Sequence, residues 1–418
     1  MQKINNLRQY LTVVLLAVLP LFFVPKSVSA NPDSTAVENV ETHTTVESSE
    51  HDHAVEAENH GEEAQAEGEK KFNAGDMIFE HILDAHDWHL WGEGHSAVAI
   101  PLPVIAYSSR GLDVFMSSNF HHGHSTYKGY MLHRQPGEKK MTLVAVNQMD
   151  AVDAHHATID ENVNPTVIDL SITKNVMAII LSGFILILIM TTVAKAYARR
   201  QGMAPKGLQS LIEPLIIMIR DDVARPSIGH KYEKFMPYLL TVFFFILINN
   251  LMGLVPFFPG GANLTGNIAV TLTLAAITFF IQLFNSNKNF WVHVVAMPGV
   301  PKAVLIILTP IELLGVVLRP FVLMVRLFAN ITAGHIVALA FISMIFIFKE
   351  SFGNGGAYGI SIFSMLMYAF MGFLELLVAF LQAYVFTLLS AIYFGAAVEE
   401  HHHDDAHHDA HVEEAALI

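Results

Sequence analysis

The fold of this chain is decided by residues 326–335, which read RLFANITAGH. Apolar residues flank this segment on both sides over stretches long enough to cross a bilayer, which takes about 20 residues. An arginine in the middle of such a helix costs at least ~3 kcal/mol, so it usually faces a water-filled path or a carboxylate. Because Arg326 stays protonated at any working pH, it can hold or repel an ion but cannot relay protons. The segment therefore indicates a fixed positive barrier inside a membrane.

The composition of the 418 residues is typical of an integral membrane protein. Hydrophobic residues make up 53% and charged residues 15%, and the mean hydropathy is +0.43. There is no cysteine, which excludes disulfides and thiolate metal sites. The net charge is -14, and acidic residues and histidine concentrate at the two ends. Since no basic face is present, nucleic acid is not an expected partner.

The region before the membrane helices is predicted to contain three parts. Residues 1–30 combine a basic start, a short apolar run and small residues, which predicts a signal peptide, with an uncleaved membrane helix as the alternative. Residues 31–75 form an acidic, His-rich tail with too little apolar surface to fold. Alternating apolar residues within 76–165 predict a small periplasmic domain with a few short strands and one helix near 77–86. Prolines 101 and 103 are expected to place its first strand at a sheet edge.

Residues 166–400 are predicted to form the membrane domain, and residues 401–418 a cytoplasmic acidic, His-rich tail. Apolar runs of ordinary spanning length are 176–193, 235–255 and 268–284. Two further runs, 303–348 and 357–397, would measure about 69 and 61 Å as single helices. The hydrocarbon layer is only ~30 Å thick, so each run either breaks into two short spans or tilts strongly.

No basic cluster or Gly/Pro-rich loop divides either long run, so we expect two long tilted helices that form a hairpin at 349–357. The predicted fold class is an all-α integral membrane protein with about five passes and a small mixed extramembrane N-terminal domain. Lys and Arg recur in residues 195–234 and are absent from 257–266. Because positive loops stay in the cytoplasm, we expect a periplasmic N-terminus and a cytoplasmic C-terminus in a bacterial inner membrane.

Polar residues interrupt the apolar runs of both long helices. They are Glu312, Arg319, Arg326, Asn330 and His335 on the first helix, and Glu375 and Gln382 on the second. If the helices are antiparallel and Arg326 lies level with Gln382, then His335 and Glu375 lie about 13 and 10 Å further out. An imidazole and a carboxylic acid at one depth can exchange protons near neutral pH. We therefore expect a proton-exchanging pair there, with Glu312 in a second aqueous path toward the cytoplasm.

Several of these polar residues also have structural interpretations. Asn330 and Gln382 could form hydrogen bonds between helices. Glu312 and Arg319 could be solvated near the cytoplasmic interface. Asn249 and Asn250 could line a path or cap the helix before Pro256.

These motifs resemble those of subunit a of the F-type ATP synthase membrane sector, and the resemblance covers about residues 165–400. The matching stretches are RLFAN with AGH at 326–335, PIE at 310–312, LQAYVF at 381–386 and NNLMGLVP at 249–256. The resemblance implies that Arg326 faces a rotating ring of c subunits. It further implies that Asn330, His335, Glu375 and Gln382 line the outer half-channel or its junction with the ring. Glu312 and Asn250 would serve other polar routes.

The resemblance also implies the partners, which are the c-subunit ring, b-type peripheral stalk subunits and, through the complex, the F1 sector. No phosphate-binding loop of the Gly-rich Lys-Ser/Thr type occurs, so we expect no catalytic site and no cofactor in this chain. One departure is that many bacterial members carry Glu at the position of His335 and His at that of Glu375. The exchanged pair, as in mitochondrial members, favours one shared proton site.

A different class of function, a divalent-metal transporter, is suggested by the 23 histidines. Most of them lie in the tails or the N-terminal domain, and His335 is the clear case within a span. A metal path needs ligands near the midplane, and Arg326 would repel a divalent cation there. Metal binding by the tails stays open as a separate possibility.

Overall fold

The computed structural model describes residues 73–91, 98–134, 140–149, 153–255, 260–295, 297 and 300–399. The predicted signal peptide at 1–30, nearly all of the predicted tail at 31–75 and the predicted tail at 401–418 lie outside the described residues. Two regions make up the described part: an N-terminal domain, residues 73–172, and a set of long helices that follows it.

The N-terminal domain contains one helix and three small antiparallel sheets. Helix α1 is Ala74–Ile82, and the side chain of Asn73 caps it by accepting a hydrogen bond from the Gly75 amide at 3.0 Å. The strands are β1 Asp87–Trp91, β2 Val98–Pro101, β3 Pro103–Ser108, β4 Gly111–Met116, β5 Tyr130–Arg134, β6 Met141–Ala145 and β7 Ile168–Asp169. They pair as β1-β2, β4-β3-β7 and β5-β6.

Two expectations about this domain are corrected. The helix begins at Ala74 and ends at Ile82, because Leu83 is already extended, so it lies about four residues closer to the N-terminus than the predicted 77–86. The chain around the two prolines forms two strands in different sheets, and β3 is the central strand of its sheet. Pro103 is tolerated there because it is the first residue of β3, where a missing N–H costs little.

Two polar contacts organise the junction between the N-terminal domain and the first long helix, α2 (Lys174–Arg199): one lies inside the domain next to the helix, and the other reaches the helix itself. The buried His86 ring places Nε2 at 2.7 Å from Oδ2 of Asp169, just before that helix. At the helix start, the amide of Asn175 donates to Oδ1 of Asp84 at 3.0 Å. Burial raises the pKa of the Asp169 carboxyl, but the hydrogen bond and charge of His86 and the hydrogen bonds from Ser171 outweigh burial and lower the pKa to about 2.

We expect Asp169→Asn to loosen this junction. A carboxyl with a depressed pKa stabilises the folded state above its unfolded pKa of 3.8, and the contribution disappears as the pH falls toward 2. The loss at pH 7 is at most on the order of 2 kcal/mol. Hydrogen exchange of the β1 and β7 amides in the purified chain should be faster in the variant at pH 7. The difference should vanish between pH 4 and pH 2, and equal exchange at pH 7 would refute this role for Asp169.

The remaining helices are long and apolar. After α2 come α3 Leu208–Met218, α4 Arg225–Ile228, α5 Tyr232–Leu254, α6 Ile268–Asn285, α7 Lys288–Val295 and α8 Lys302–Val398, and a π-helical turn, Ile219–Ala224, joins α3 to α4. Among the residues that the structure describes, four helical stretches are long and apolar enough to cross a membrane: Lys174–Arg199, Leu208–Leu254, Ile268–Asn285 and Ala303–Val398. A shared apolar core forms where α5, α6 and α8 meet.

Helix α8 folds back on itself at Gly353, whose φ of 64° and ψ of -164° interrupt the helix. Glycine adopts this left-handed φ without the Cβ clash of other residues. The two arms, 302–352 and 354–398, run antiparallel, since the Ser364 hydroxyl donates to the carbonyl of Phe341 and Arg319 lies 5.9 Å from the ring centre of Tyr393. The predicted hairpin is confirmed, and when its two arms are counted separately, the described residues contain five helical stretches long and apolar enough to cross a membrane.

Candidate functional site

Arg326 and Asn330 lie one turn apart on the first arm of α8, and both side chains are exposed. Val322, one turn before Arg326 on the same face, is an exposed apolar side chain, so the polar pair lies on an otherwise apolar surface. In the described part of the chain, Arg326 makes no ion pair and no hydrogen bond. An unpaired guanidinium in lipid is expensive, so this face is suited to a partner that carries an acidic group.

Arg319, two turns before Arg326, is in a different situation. Its guanidinium NH2 group lies 3.5 Å from Oε1 of Glu312, and its charge lies over the ring of Tyr393 at 5.9 Å. Both members of the Arg319–Glu312 pair are partly exposed. The pair satisfies the charge of Arg319 within the chain, whereas Arg326 has no such arrangement among the described residues.

His335 and Glu375 are in direct contact across the hairpin, through Nδ1 of the imidazole and Oε1 of the carboxyl group. Glu375 is 7% exposed, and His335 is half-buried. A Cβ added at Gly334 would lie 3.4 Å from the Glu375 carboxyl oxygen, so the acid packs directly against the backbone of the first arm. The rise per residue of the two helices predicted similar depths for these side chains, and the contact agrees with that prediction. An acid and an imidazole in contact form a site that can take up and release a proton.

Asn250 connects three segments of the chain: its own helix α5, the second arm of α8, and the residues between α5 and α6. Its amide nitrogen donates to the carbonyl of Ala379 at 3.1 Å, and its oxygen accepts a hydrogen bond from the Thr265 hydroxyl at 2.7 Å. The residue therefore does not cap its helix. Gln382, one turn beyond Ala379, is buried.

Two residues near this group were missed from the sequence. Thr265 hydrogen-bonds Asn250, and Gly253 lies beside the imidazole, because a Cβ there would lie 3.6 Å from His335 Nε2. Thr265 lies outside the helix that carries Asn250, so helical spacing gave no signal for their contact. Gly253, one turn after Asn250 in NNLMGLVP, stood in a quoted motif and could have been identified from its position on the same helix face.

The histidines do not assemble a metal centre in the part of the chain that the structure describes, where no three His, Asp or Glu side chains are grouped as ligands. The divalent-metal transporter therefore gains no support from the membrane helices.

The residues described above lie within a range that matches a known protein family. A family model described as "ATP synthase A chain" matches residues 176–395. A second model, "Domain of unknown function (DUF8433)", matches residues 77–170, which is most of the N-terminal domain.

The chain is similar to three curated proteins with related names. It is 46% identical over 246 residues to "ATP synthase subunit a 2" of Chlorobaculum tepidum, covering 57% of this chain and 66% of that protein. It is 45% identical over 246 residues to "ATP synthase subunit a" of Chloroherpeton thalassium, covering 57% and 70%. It is 38% identical over 269 residues to "ATP synthase subunit a" of an Anaeromyxobacter species, covering 61% and 62%. The chain thus spans about two thirds of the length of these relatives.

Proposed function

The chain belongs to the ATP synthase A chain family, and we propose that it is the proton-channel subunit a of an F-type ATP synthase. Its helices would provide two half-channels that pass protons to and from carboxylates on a rotating ring of c subunits. The single observation that carries this proposal is the unpaired, exposed guanidinium of Arg326 on an apolar helix face. A partner carboxylate that neutralises it transiently would explain both its exposure and its depth.

In this proposal, the His335–Glu375 pair is the proton-exchanging site of the outer half-channel. Water entering from the periplasm would protonate the pair, and the pair would pass the proton to a ring carboxylate. Asn330 and Gln382 would line the junction between this proton-exchanging site and the ring. The bridging side chain of Asn250 would hold the wall of the path beside them.

Arg326 acts as the barrier between the two half-channels. Because its guanidinium is always charged, a proton cannot hop through it, and its field repels hydrated cations from the direct route. A ring carboxylate that reaches Arg326 is held in its ionised form. It must have released its proton on one side of Arg326 before it can be loaded again on the other side.

Glu312 would belong to the second half-channel, on the cytoplasmic side. Its contact with Arg319 keeps a charged, hydrated pair about two turns from Arg326 along the same helix. Such a pair would give protons leaving the ring a polar route to the cytoplasm.

The wider assembly and location follow from the same proposal. ATP chemistry would reside in the F1 sector, while b-type stalk subunits would hold this chain against the moving ring. The charge of residues 195–234 supports a bacterial inner membrane protein with a periplasmic N-terminal domain and a cytoplasmic C-terminus. The chain itself would carry neither a catalytic site nor a cofactor.

Cysteine cross-linking tests which partner covers the face of Arg326. The chain has no cysteine, so single substitutions give no background. We expect Val322→Cys to form an oxidative cross-link with a cysteine placed next to the ring carboxylate of the c subunit. Phe184→Cys, on the exposed face of α2, is the matched control and should form no such product. Equal yields from both positions, or none from Val322→Cys, would count against the proposed partner.

A further inference from the structure

Trp88 of the N-terminal domain reaches into the helical region. Its side chain is only 2% exposed, and its indole N–H donates a hydrogen bond of 3.1 Å to the carbonyl of Gly260. The ring packs in one apolar cluster with Ala178 of α2 and Ala262. The contact joins a domain of unassigned function to the segment between α5 and α6, residues 260–267, which we call the α5–α6 segment.

The α5–α6 segment is held tightly against the end of α5. A Cβ at Gly260 would clash with the backbone oxygens of Met252 and Val255, so glycine is required there for this close approach. The amide of Gly261, with φ of 77°, donates to the same Met252 carbonyl at 3.2 Å. Trp88 thus contacts the point where the segment turns back over the helix end.

The same segment lies next to Gly253 of α5, which in turn lies beside the imidazole of His335. Thr265 hydrogen-bonds Asn250, and a Cβ at Gly253 would lie 3.4 Å from the Ala262 carbonyl and 3.6 Å from His335 Nε2. Asn263 is 3% exposed, and its amide nitrogen is buried without a hydrogen-bond partner among the described residues. A buried, unsatisfied amide beside a polar site is well placed to bind water.

Further contacts make the N-terminal domain a firm support for Trp88. The backbone of Lys174, at the start of α2, donates to the carbonyl of Ala85 at 2.9 Å, three residues before Trp88. Helix α1 packs against α8. The domain is therefore fixed to two membrane helices, α2 and α8, so a shift of the α5–α6 segment would require Trp88 to give up its contacts with Gly260 and Ala262.

We infer that the N-terminal domain clamps the α5–α6 segment through Trp88 and thereby limits how freely water and protons reach the His335–Glu375 pair from the periplasm. Trp88 is a positioning residue here, since it acts through Gly260 and Ala262 and does not touch the pair. The inference rests on the proposed function for the direction of proton flow. The clamp itself is independent of that direction, because it concerns only how readily the α5–α6 segment opens to solvent.

Thiol labelling of the assembled complex tests the clamp without requiring proton pumping. Asn263→Cys serves as the probe, and a membrane-impermeant thiol reagent is added from the side of the N-terminal domain. In this background we expect Trp88→Ala to accelerate labelling about tenfold or more, because local opening of the segment then costs less free energy. Trp88→Phe, which keeps most of the volume but loses the N–H, should accelerate labelling severalfold.

Phe120→Leu is the matched control, because Phe120 is fully buried in the core of the N-terminal domain, in a cluster separate from that of Trp88. It should leave the labelling rate unchanged. If Trp88→Ala does not assemble, Trp88→Phe decides the matter. Labelling at the parental rate in an assembled Trp88 variant, or equal acceleration by Phe120→Leu, would overturn the clamp.

A second readout connects the clamp to proton flow. In inverted vesicles with the parental residue at 263, Trp88→Phe should shift the dependence of ATP synthesis on the pH of the periplasmic side while F1 hydrolysis stays unchanged. Faster labelling together with an unchanged pH profile would retain the clamp but remove its control of proton access. The absence of any proton-coupled synthesis in the parent would contradict the proposed function and leave the labelling result standing.

Discussion

Arg326→Ala is expected to abolish ATP-driven proton pumping in membrane vesicles, to below roughly 1% of the parental rate, because the electrostatic barrier between the half-channels is lost. ATP hydrolysis by the soluble sector should survive, since its chemistry lies in other subunits. Pumping is measured by the quenching of a pH-sensitive dye upon addition of ATP, and hydrolysis by phosphate release from the same vesicles.

Arg319→Ala is the matched control for this prediction. Arg319 lies two turns away on the same helix and is paired with Glu312 in the proposed cytoplasmic route, which keeps the Glu312 carboxyl without it, so removal of Arg319 should lower pumping far less than removal of Arg326. Arg326→Lys keeps the charge but loses the planar, multiply donating head group, and it should be nearly as defective as the alanine variant. Normal pumping by Arg326→Ala would refute the role of Arg326 as the barrier between the two half-channels.

Glu375→Ala should have the second largest effect, because it removes the acid that contacts His335. We expect pumping to fall by at least tenfold, which corresponds to about 1.4 kcal/mol of barrier. His335→Ala should be similarly impaired, with the carboxyl group left buried and without the imidazole.

The double exchange, His335→Glu together with Glu375→His, tests whether the two side chains act as one site. It keeps one acid and one imidazole at the same depth, so it should retain more pumping than either single exchange. A double-mutant cycle on the pumping rates measures the coupling between the two positions. Strictly additive losses would mean that the two residues have independent roles.

The membrane part of the fold could be predicted because lipid imposes strong rules on a sequence. The lengths of the apolar runs gave five passes, and the turn of the hairpin fell at Gly353, within the expected 349–357. The regular rise of a helix then placed His335 near Glu375 before any contact was known. The ion pair between Glu312 and Arg319, seven residues apart, also follows helical spacing.

Contacts between distant segments could not be predicted in this way. The Thr265 partner of Asn250 depends on the path of a loop, and the Trp88–Gly260 hydrogen bond joins residues that are 172 positions apart. The strand order of the N-terminal domain was misjudged at Pro103, because a proline at the first position of a strand has the same local sequence in a central strand as in an edge strand. The group that faces Arg326 also could not be predicted, because it depends on the assembly and helical periodicity describes only one chain.

The most direct measurement of the central claim is a cryo-electron microscopy map of the assembled complex that resolves the side chain of Arg326. The account predicts that, in at least one rotor position, its guanidinium lies within about 5 Å of a carboxylate from a ring subunit, with no carboxylate of this chain nearer. A guanidinium that packs against its own helices or against lipid in every rotor position, beyond the reach of any ring carboxylate, would contradict it.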